Sequence, residues 1–332
     1  MTTFKEIRGT TIEVVSSDPA NPEGGQIWYN SSSGTLKGSA YSQSWSSGGN
    51  LNTARSALAA AGIQTAALAF GGFEPPFAKS VATESYNGTS WTSVNSMNNG
   101  RGALGGAGLQ TAALGFGGYK AGDAPPNQSK NSNQTESWNG TSWTSVNPLN
   151  RLVLALVGAG TQTAALGFGG YTDPPAGGQR NFTESWNGTS WTIVNNLNTA
   201  RSNLAGFGTQ TAAIAFGGSV PPSKNATESW NGISWTTSPA TLNTGRNQLA
   251  GAGTQTAGLG FGGYTTVNTG ATETWNGTSW TTTTPMTTAR RELAGSGTQT
   301  SALTFGGRPS TGFSSATEEW NVGFATKTIT VS

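Results

Sequence analysis

Three features of this 332-residue chain predict an all-β fold built from repeated small sheets. Only 10% of the residues are charged while Gly occurs 49 times, a composition suited to short strands and tight turns. A Gly-Gly pair returns six times, beginning at Gly71, Gly117, Gly169, Gly217, Gly262 and Gly306. Around each pair the same segments follow one another in the same order, at intervals of 44 to 52 residues. Propeller blades repeat every ~40 to 50 residues with four strands each. The fold class predicted is therefore a six-bladed β-propeller with an N-terminal extension: residues 1–40 as the extension, 41–321 as the propeller and 322–332 as a C-terminal strand or tail.

The extension comes first. Thr10 to Val15 reads as a strand, Asp18 to Gly25 as a turn-rich connector, and Gln26 to Asn30 with Thr35 to Lys37 as a hairpin around Ser31 to Gly34. So small a piece has little core of its own, so it is expected to dock, with Ile27, Trp28 and Tyr29 as its attachment residues.

The third repeat shows the propeller elements well. Arg151 to Gly160 is strand a, Thr161 to Gly170 strand b, Thr183 to Trp186 strand c and Thr189 to Val194 strand d. Strand b alternates Ala164, Leu166 and Phe168 with Ala165 and Gly167, the period of two expected of a strand. Its large side chains are expected to fill slots left by small ones on the neighbouring blade. Asn187-Gly188 between c and d is read as a type I′ turn that sets Trp186 opposite Thr189 and leaves Glu184, Trp186 and Trp191 on one face. Ser44-Trp45 followed by Asn52 to Arg55 matches Ser190-Trp191 followed by Asn198 to Arg201, so the segment at Trp45 is expected to be the d strand that closes the last blade; the competing reading gives that place to Thr326 to Val331.

The apolar strand ending in Gly169-Gly170, then Trp186, Trp191 and Arg201, resembles the kelch repeat, and the pattern returns in the other units. That resemblance implies a fold rather than a chemistry. The stretch Pro22 to Asn30, continuing to Ser33 to Lys37, resembles segments of structural and tail-fibre proteins of bacteriophages. Repeats such as Gly-Thr-Gln-Thr-Ala-Ala-Leu and Glu-Ser-Trp-Asn-Gly-Thr-Ser-Trp resemble kelch-type repeats in virion proteins of phages infecting marine bacteria. The resemblance implies a virion component, assembled in multiple copies with other virion proteins.

Charge and residue types narrow the function. The 17 basic and 15 acidic residues form no run or stripe, so no nucleic-acid partner is expected. Cys and His are both absent, which removes thiolate and imidazole ligands, Cys nucleophiles and the usual general base. No enzyme, cofactor or metal is expected; a carboxylate hydrolase using Asp123 or Asp173 is the residual catalytic alternative. Residues 1–15 hold no apolar stretch of the kind a secretory signal needs, so synthesis in the host cytoplasm without export by that route is expected, and no membrane insertion. The recurring Asn-Gly-Thr is read as turn chemistry, not as a glycosylation signal.

Two recurring charged sets are Glu84, Glu136, Glu184, Glu228, Glu273 and Glu318, and Arg55, Arg101, Arg151, Arg201, Arg246 and Arg290. Matched in number and phase, they are expected to pair structurally, since a charge held between packed sheets needs a partner. Eleven of the twelve Trp residues fall at repeat positions and are assigned to packing. Variation gathers in the b–c connections, 73–82, 119–134, 171–182, 219–226, 264–271 and 308–316, all at one end of the blades. Loops on a rigid scaffold commonly carry recognition. Phe73, Phe77, Tyr119, Lys120, Tyr171 and Asp173 are the candidate recognition residues, for a host-surface glycan or protein. A free lectin-like propeller is the alternative function.

Overall fold

The computed structural model describes residues 12–120, 130–173, 177–219 and 224–329, all in strands, turns and loops. Two compact units emerge: Trp45–Trp320 as one, and the chain up to Ser44 with Asn321 onward as the other.

Trp45–Trp320 is a six-bladed β-propeller. Five blades are four-stranded antiparallel sheets whose strands pair in chain order, the first and third interrupted by a small two-stranded hairpin; the first comprises Ala59–Ile63, Ala66–Phe70, Thr83–Tyr86 and Trp91–Val94. The sixth takes Ala294–Gly297, Ser301–Phe305 and the start of Thr317–Thr328, and its outer strand is the end of Thr35–Ser47. Each inner strand touches the next around the ring, and the sixth touches the first, so the circle is closed.

Large-into-small packing holds the blades together. The strand-b phenylalanine of each blade meets the outer-strand Trp of the next at 4.7 to 5.1 Å between centroids: Phe70 with Trp143, Phe116 with Trp191, Phe168 with Trp235, Phe216 with Trp280, Phe261 with Trp45 and Phe305 with Trp91. The slot is real at Gly115, Gly167 and Gly260, where an added Cβ would lie 2.8 to 3.0 Å from the incoming phenylalanine ring. Each outer Trp also donates its indole N–H to a strand-c Thr of the preceding blade, as Trp191 does to Thr135 and Trp45 to Thr272, satisfying the one polar atom it buries.

A second staple was not anticipated from the sequence. The Gln of each a–b turn reaches back to the strand-c backbone of the preceding blade: Gln64 to Trp320 O, Gln110 to Tyr86 O, Gln162 to Trp138 O, Gln210 to Trp186 O, Gln255 to Trp230 O and Gln299 to Trp275 O. The Gly-Gly pair has its reason here too. Gly71 and Gly72 have φ of 63° and 100°, the N–H of Gly72 donates to Arg101 O, and a Cβ on Gly71 would sit 2.7 Å from that same oxygen.

Two sequence expectations are corrected. In the c–d hairpin Trp186 pairs with Trp191, not Thr189, across the four-residue loop Asn187 to Ser190. Asn187 does not enter positive φ; its Oδ1 accepts the N–H groups of Thr189 and Ser190, and only Gly188 is left-handed at 91°. The register moves by two residues, which preserves parity and keeps Glu184, Trp186 and Trp191 on one face. Second, Arg151 is not a member of the arginine ring. Its place is taken by buried Val153, which lies three residues before Leu156 as Arg55 does before Leu58, while Arg151 stacks on Phe182 at 4.2 Å.

The other five arginines are fully buried and pair within their blades: Arg55 with Glu84, Arg101 with Glu136, Arg201 with Glu228, Arg246 with Glu273 and Arg290 with Glu318, at 2.5 to 3.1 Å. Burial pushes these guanidinium pKa values down and the facing carboxylate pushes them back up. Each Glu also accepts a backbone N–H from the connection entering its blade, as Glu136 does from Asn98. Glu184, without an arginine, is held by the backbone and side-chain amides of Asn150 at 2.8 and 2.9 Å.

In the smaller unit Glu13–Val15 pairs parallel with Ile27–Asn30, which pairs antiparallel with the start of Thr35–Ser47, and the latter part of Thr317–Thr328 completes the sheet. Asp18 ties it together by accepting from Lys37, Asn30 and Trp28 at 2.7, 2.7 and 3.0 Å. Those bonds, Lys37 first, hold its carboxyl at about 2.

Candidate functional site

The connections entering the blades lead, in each repeat, to one residue in the left-handed region: Ala57, Ala103, Ala155, Asn203, Gln248 and Glu292, with φ of 49° to 56°. Their backbones form a closed circle. Ala103 N donates to Ala57 O, Ala155 to Ala103, Asn203 to Ala155, Gln248 to Asn203, Glu292 to Gln248 and Ala57 to Glu292, at 2.7 to 3.1 Å. These twelve groups at the channel mouth are therefore already satisfied.

Outside that circle the residue before each member bridges the residue after each Gly-Gly: Ser56 with Phe73, Gly102 with Tyr119, Leu154 with Tyr171, Ser202 with Ser219, Asn247 with Tyr264 and Arg291 with Arg308. Three sixfold sets thus share one backbone geometry, and the molecule serves as its own control. Positions that repeat carry the scaffold, whereas positions that differ have been released from the repeat. The first three blades present Ala57, Ala103, Ala155, Leu154, Phe73, Tyr119 and Tyr171 with Ser56 and Gly102; the last three present Asn203, Gln248, Glu292, Asn247, Arg291 and Arg308 with Ser202, Ser219 and one aromatic, Tyr264. The mouth is apolar on one side and polar on the other.

Between the two sides lies a cup of about 210 Å³ lined by Phe73, Phe77, Tyr119, Asn203, Gln248 and Glu292 among others. Phe77 is half exposed, and its φ of 100° is one that a bulky side chain rarely adopts. Residues 73–79 form a small hairpin, with Phe73 opposite Lys79 and Glu74 opposite Ala78, that carries Phe77 at its tip. Phe77 contacts Phe73 and Phe313 at 6.4 and 5.2 Å between centroids, and Phe73 contacts Tyr119 at 6.0 Å. Gly102 makes room for Phe73, since a Cβ there would lie 2.4 Å from the ring. Lys79 and Lys130 stand 5.1 and 5.9 Å from the Tyr119 ring centre.

On the polar side Gln248 Nε2 donates to Glu292 Oε1 at 2.9 Å. Arg291 and Arg308 approach the same carboxylate oxygen at 3.8 and 3.9 Å, beyond hydrogen-bond distance. Arg308 lies over Phe77 at 5.0 Å, and with Arg291 it also lines an adjoining groove of about 570 Å³ that includes Tyr264, Asn268 and Ser310.

Of the residues singled out in the sequence, Phe73, Phe77 and Tyr119 come together in the cup. Lys120 donates its backbone N–H to Lys130 O, and Tyr171 lies half-buried in the short hairpin Tyr171–Thr172 with Gly178–Gln179. Asp173 makes a reciprocal pair with Asn131, whose amide donates to Asp173 Oδ2 at 3.0 Å and accepts from Asp173 N at 2.7 Å. Asp123 lies outside the described residues. Of the three residues expected to mediate attachment, Trp28 is fully buried and bonded to Asp18, Ile27 is half-buried and Tyr29 is exposed. Asn203, Gln248, Glu292, Arg291 and Arg308 were not singled out. Their signal was present as the residues standing where the first blades carry Ala57, Ala103 and Ala155 and the positions flanking them. No protein-family model matches the chain. No curated protein matches it.

Proposed function

We propose that this chain is a non-enzymatic component of a phage particle, with kelch-type blades, that acts by assembly with other virion proteins and by recognition through the loop face. The observation that carries the recognition half is the sixfold mouth, where one backbone repeats and the side chains do not. A packing role would favour the same residue in every blade, as it does for the outer Trp. The assembly half rests on residues 22–37 and their likeness to phage structural proteins, and on exposed Val14, Tyr29, Tyr41 and Phe324 in the smaller unit. The absence of Cys and His agrees with a binding role.

Mass spectrometry and electron cryo-microscopy of purified particles test the proposal. The protein is expected at a stoichiometric, ordered position, with residues 12–44 against a different chain; its absence from the particles overturns the reading. A free glycan-binding propeller is the second reading, favoured by the half-exposed Phe77 beside side-chain amides in a cup of sugar-ring size. Particles that lack the protein, together with selective glycan binding by the purified chain, would favour it.

A further inference from the structure

We infer that the cup and the adjoining groove form one binding site for an acidic oligosaccharide, with a sugar ring against Phe77 and its carboxylate or sulfate at Arg291 and Arg308. The inference rests on the proposal that the loop face is a recognition surface and names what that surface takes.

The chemistry of the floor selects the ligand class. All six backbone N–H and C=O pairs of the inner circle are used within the circle, so the floor offers no main-chain ladder to an extended peptide. What it offers is side chains: the amides of Asn203 and Gln248, the carboxylate of Glu292, and aromatic surface from Phe77 and Phe73. A pyranose ring presents both matching surfaces, a C–H face for the aromatic and hydroxyls for amides and carboxylate.

The groove supplies the charge. Arg291 donates to Asn268 Oδ1 at 3.3 Å, and among the described residues Arg308 makes no side-chain hydrogen bond. Both reach Glu292 only at 3.8 to 3.9 Å, so one carboxylate stands loosely between two guanidiniums. Guanidinium is the donor fork that fits a carboxylate or sulfate in two-point fashion. Arg308 lines the groove and lies over the rings of Phe77 and Phe313, and Phe77 in turn lines the cup, so the two cavities meet across the Arg308–Phe77 contact. A ligand ring over Phe77 therefore places its neighbouring acidic group at Arg308.

Phe77 gives a second, independent indication. Its ring is half exposed, and its backbone stands at a φ of 100° where glycine is the ordinary occupant. Strain of this kind concentrates at ligand sites and switches. Contacts with Phe73, Phe313 and Arg308 cover part of this side chain and leave the other half free for a ligand.

The test is calorimetry and array binding of the full chain with matched acidic and neutral oligosaccharides. Acidic members are expected to bind at least about tenfold more tightly than their neutral counterparts, with affinity falling as salt rises. Arg308→Gln is expected to remove most of the acidic preference, Phe77→Ala to weaken acidic and neutral ligands alike, and Glu13→Gln, in the smaller unit, to change neither. Circular dichroism shows whether the variants fold, and the salt dependence of the unaltered protein needs no variant at all. Equal binding of neutral and acidic glycans, salt-independent binding, binding of an acidic peptide with no glycan bound, or no binding to any glycan overturns the inference. Lack of glycan binding by a protein that is nevertheless found in particles overturns this inference alone and leaves the proposed function standing.

Discussion

At the residue scale the repeat supplies internal controls that ordinary mutagenesis lacks. Glu136 faces Arg101, whereas Glu184 faces no arginine because Val153 stands in that place. Glu136→Gln leaves a buried guanidinium without its carboxylate, at a cost of about 3 kcal/mol. Glu184→Gln strands no cation and is expected to cost only about 1 kcal/mol, the scale of altered hydrogen bonding. Chemical denaturation of the two variants side by side checks the difference. At Phe77 the usual order of Ala over Gly should reverse: with φ at 100°, Phe77→Gly is expected to melt higher than Phe77→Ala, by about 1 kcal/mol of stability. The missing arginine was legible in the sequence. Counting three residues back from Leu58, Leu104, Leu204, Leu249 and Leu293 finds Arg each time, and counting back from Leu156 finds Val153. Arg151 misleads because it is the right residue type two positions early.

At the element scale strands b were legible because they alternate and end at Gly-Gly, and most strands c because they end at Asn-Gly. Hairpin register was not, since Asn-Gly supports both a two-residue turn and a longer loop closed by the Asn side chain. The inner strands carry their own constraint. A Cβ on Gly158 would lie 2.2 Å from Gly106 O in the inner strand of the preceding blade. Backbone cannot yield as a flexible side chain can, so Gly158→Ala is expected to cost about 3 kcal/mol. Gly323, with nothing near its added Cβ, should tolerate the same change within about 0.5 kcal/mol. Thermal unfolding of both variants measures the contrast. In the smaller unit Asp18, held at about 2 against an ordinary 3.8, contributes stability that is present above pH 3.8 and lost as pH falls through about 2. The Trp28 indole resonance should report that loss on acidification, and Asp18→Asn should show its effect at neutral pH with little further change towards pH 2.

At the scale of the whole molecule, the fold class followed from period alone, because six copies in phase leave few other ways to bury their aromatic faces. The site was half legible: its aromatic side stood out in variable connections, while its polar side was hidden at positions that look like ordinary repeat residues. Aligning the six repeats against one another, and attending to what departs from them, would have revealed Asn203, Gln248 and Glu292. The sixth blade closes with a strand from the beginning of the chain, and Trp45 bonds to Thr272, 227 residues away. The propeller end of that strand, around Trp45, therefore has no partner in the ring until the last blade has been made. Five blades can assemble as neighbours along the sequence, but closure is a long-range event and the slow, exposed step of folding. Until it occurs the growing protein is an open arc with an unpaired edge, and a chain cut short near residue 316 would remain one.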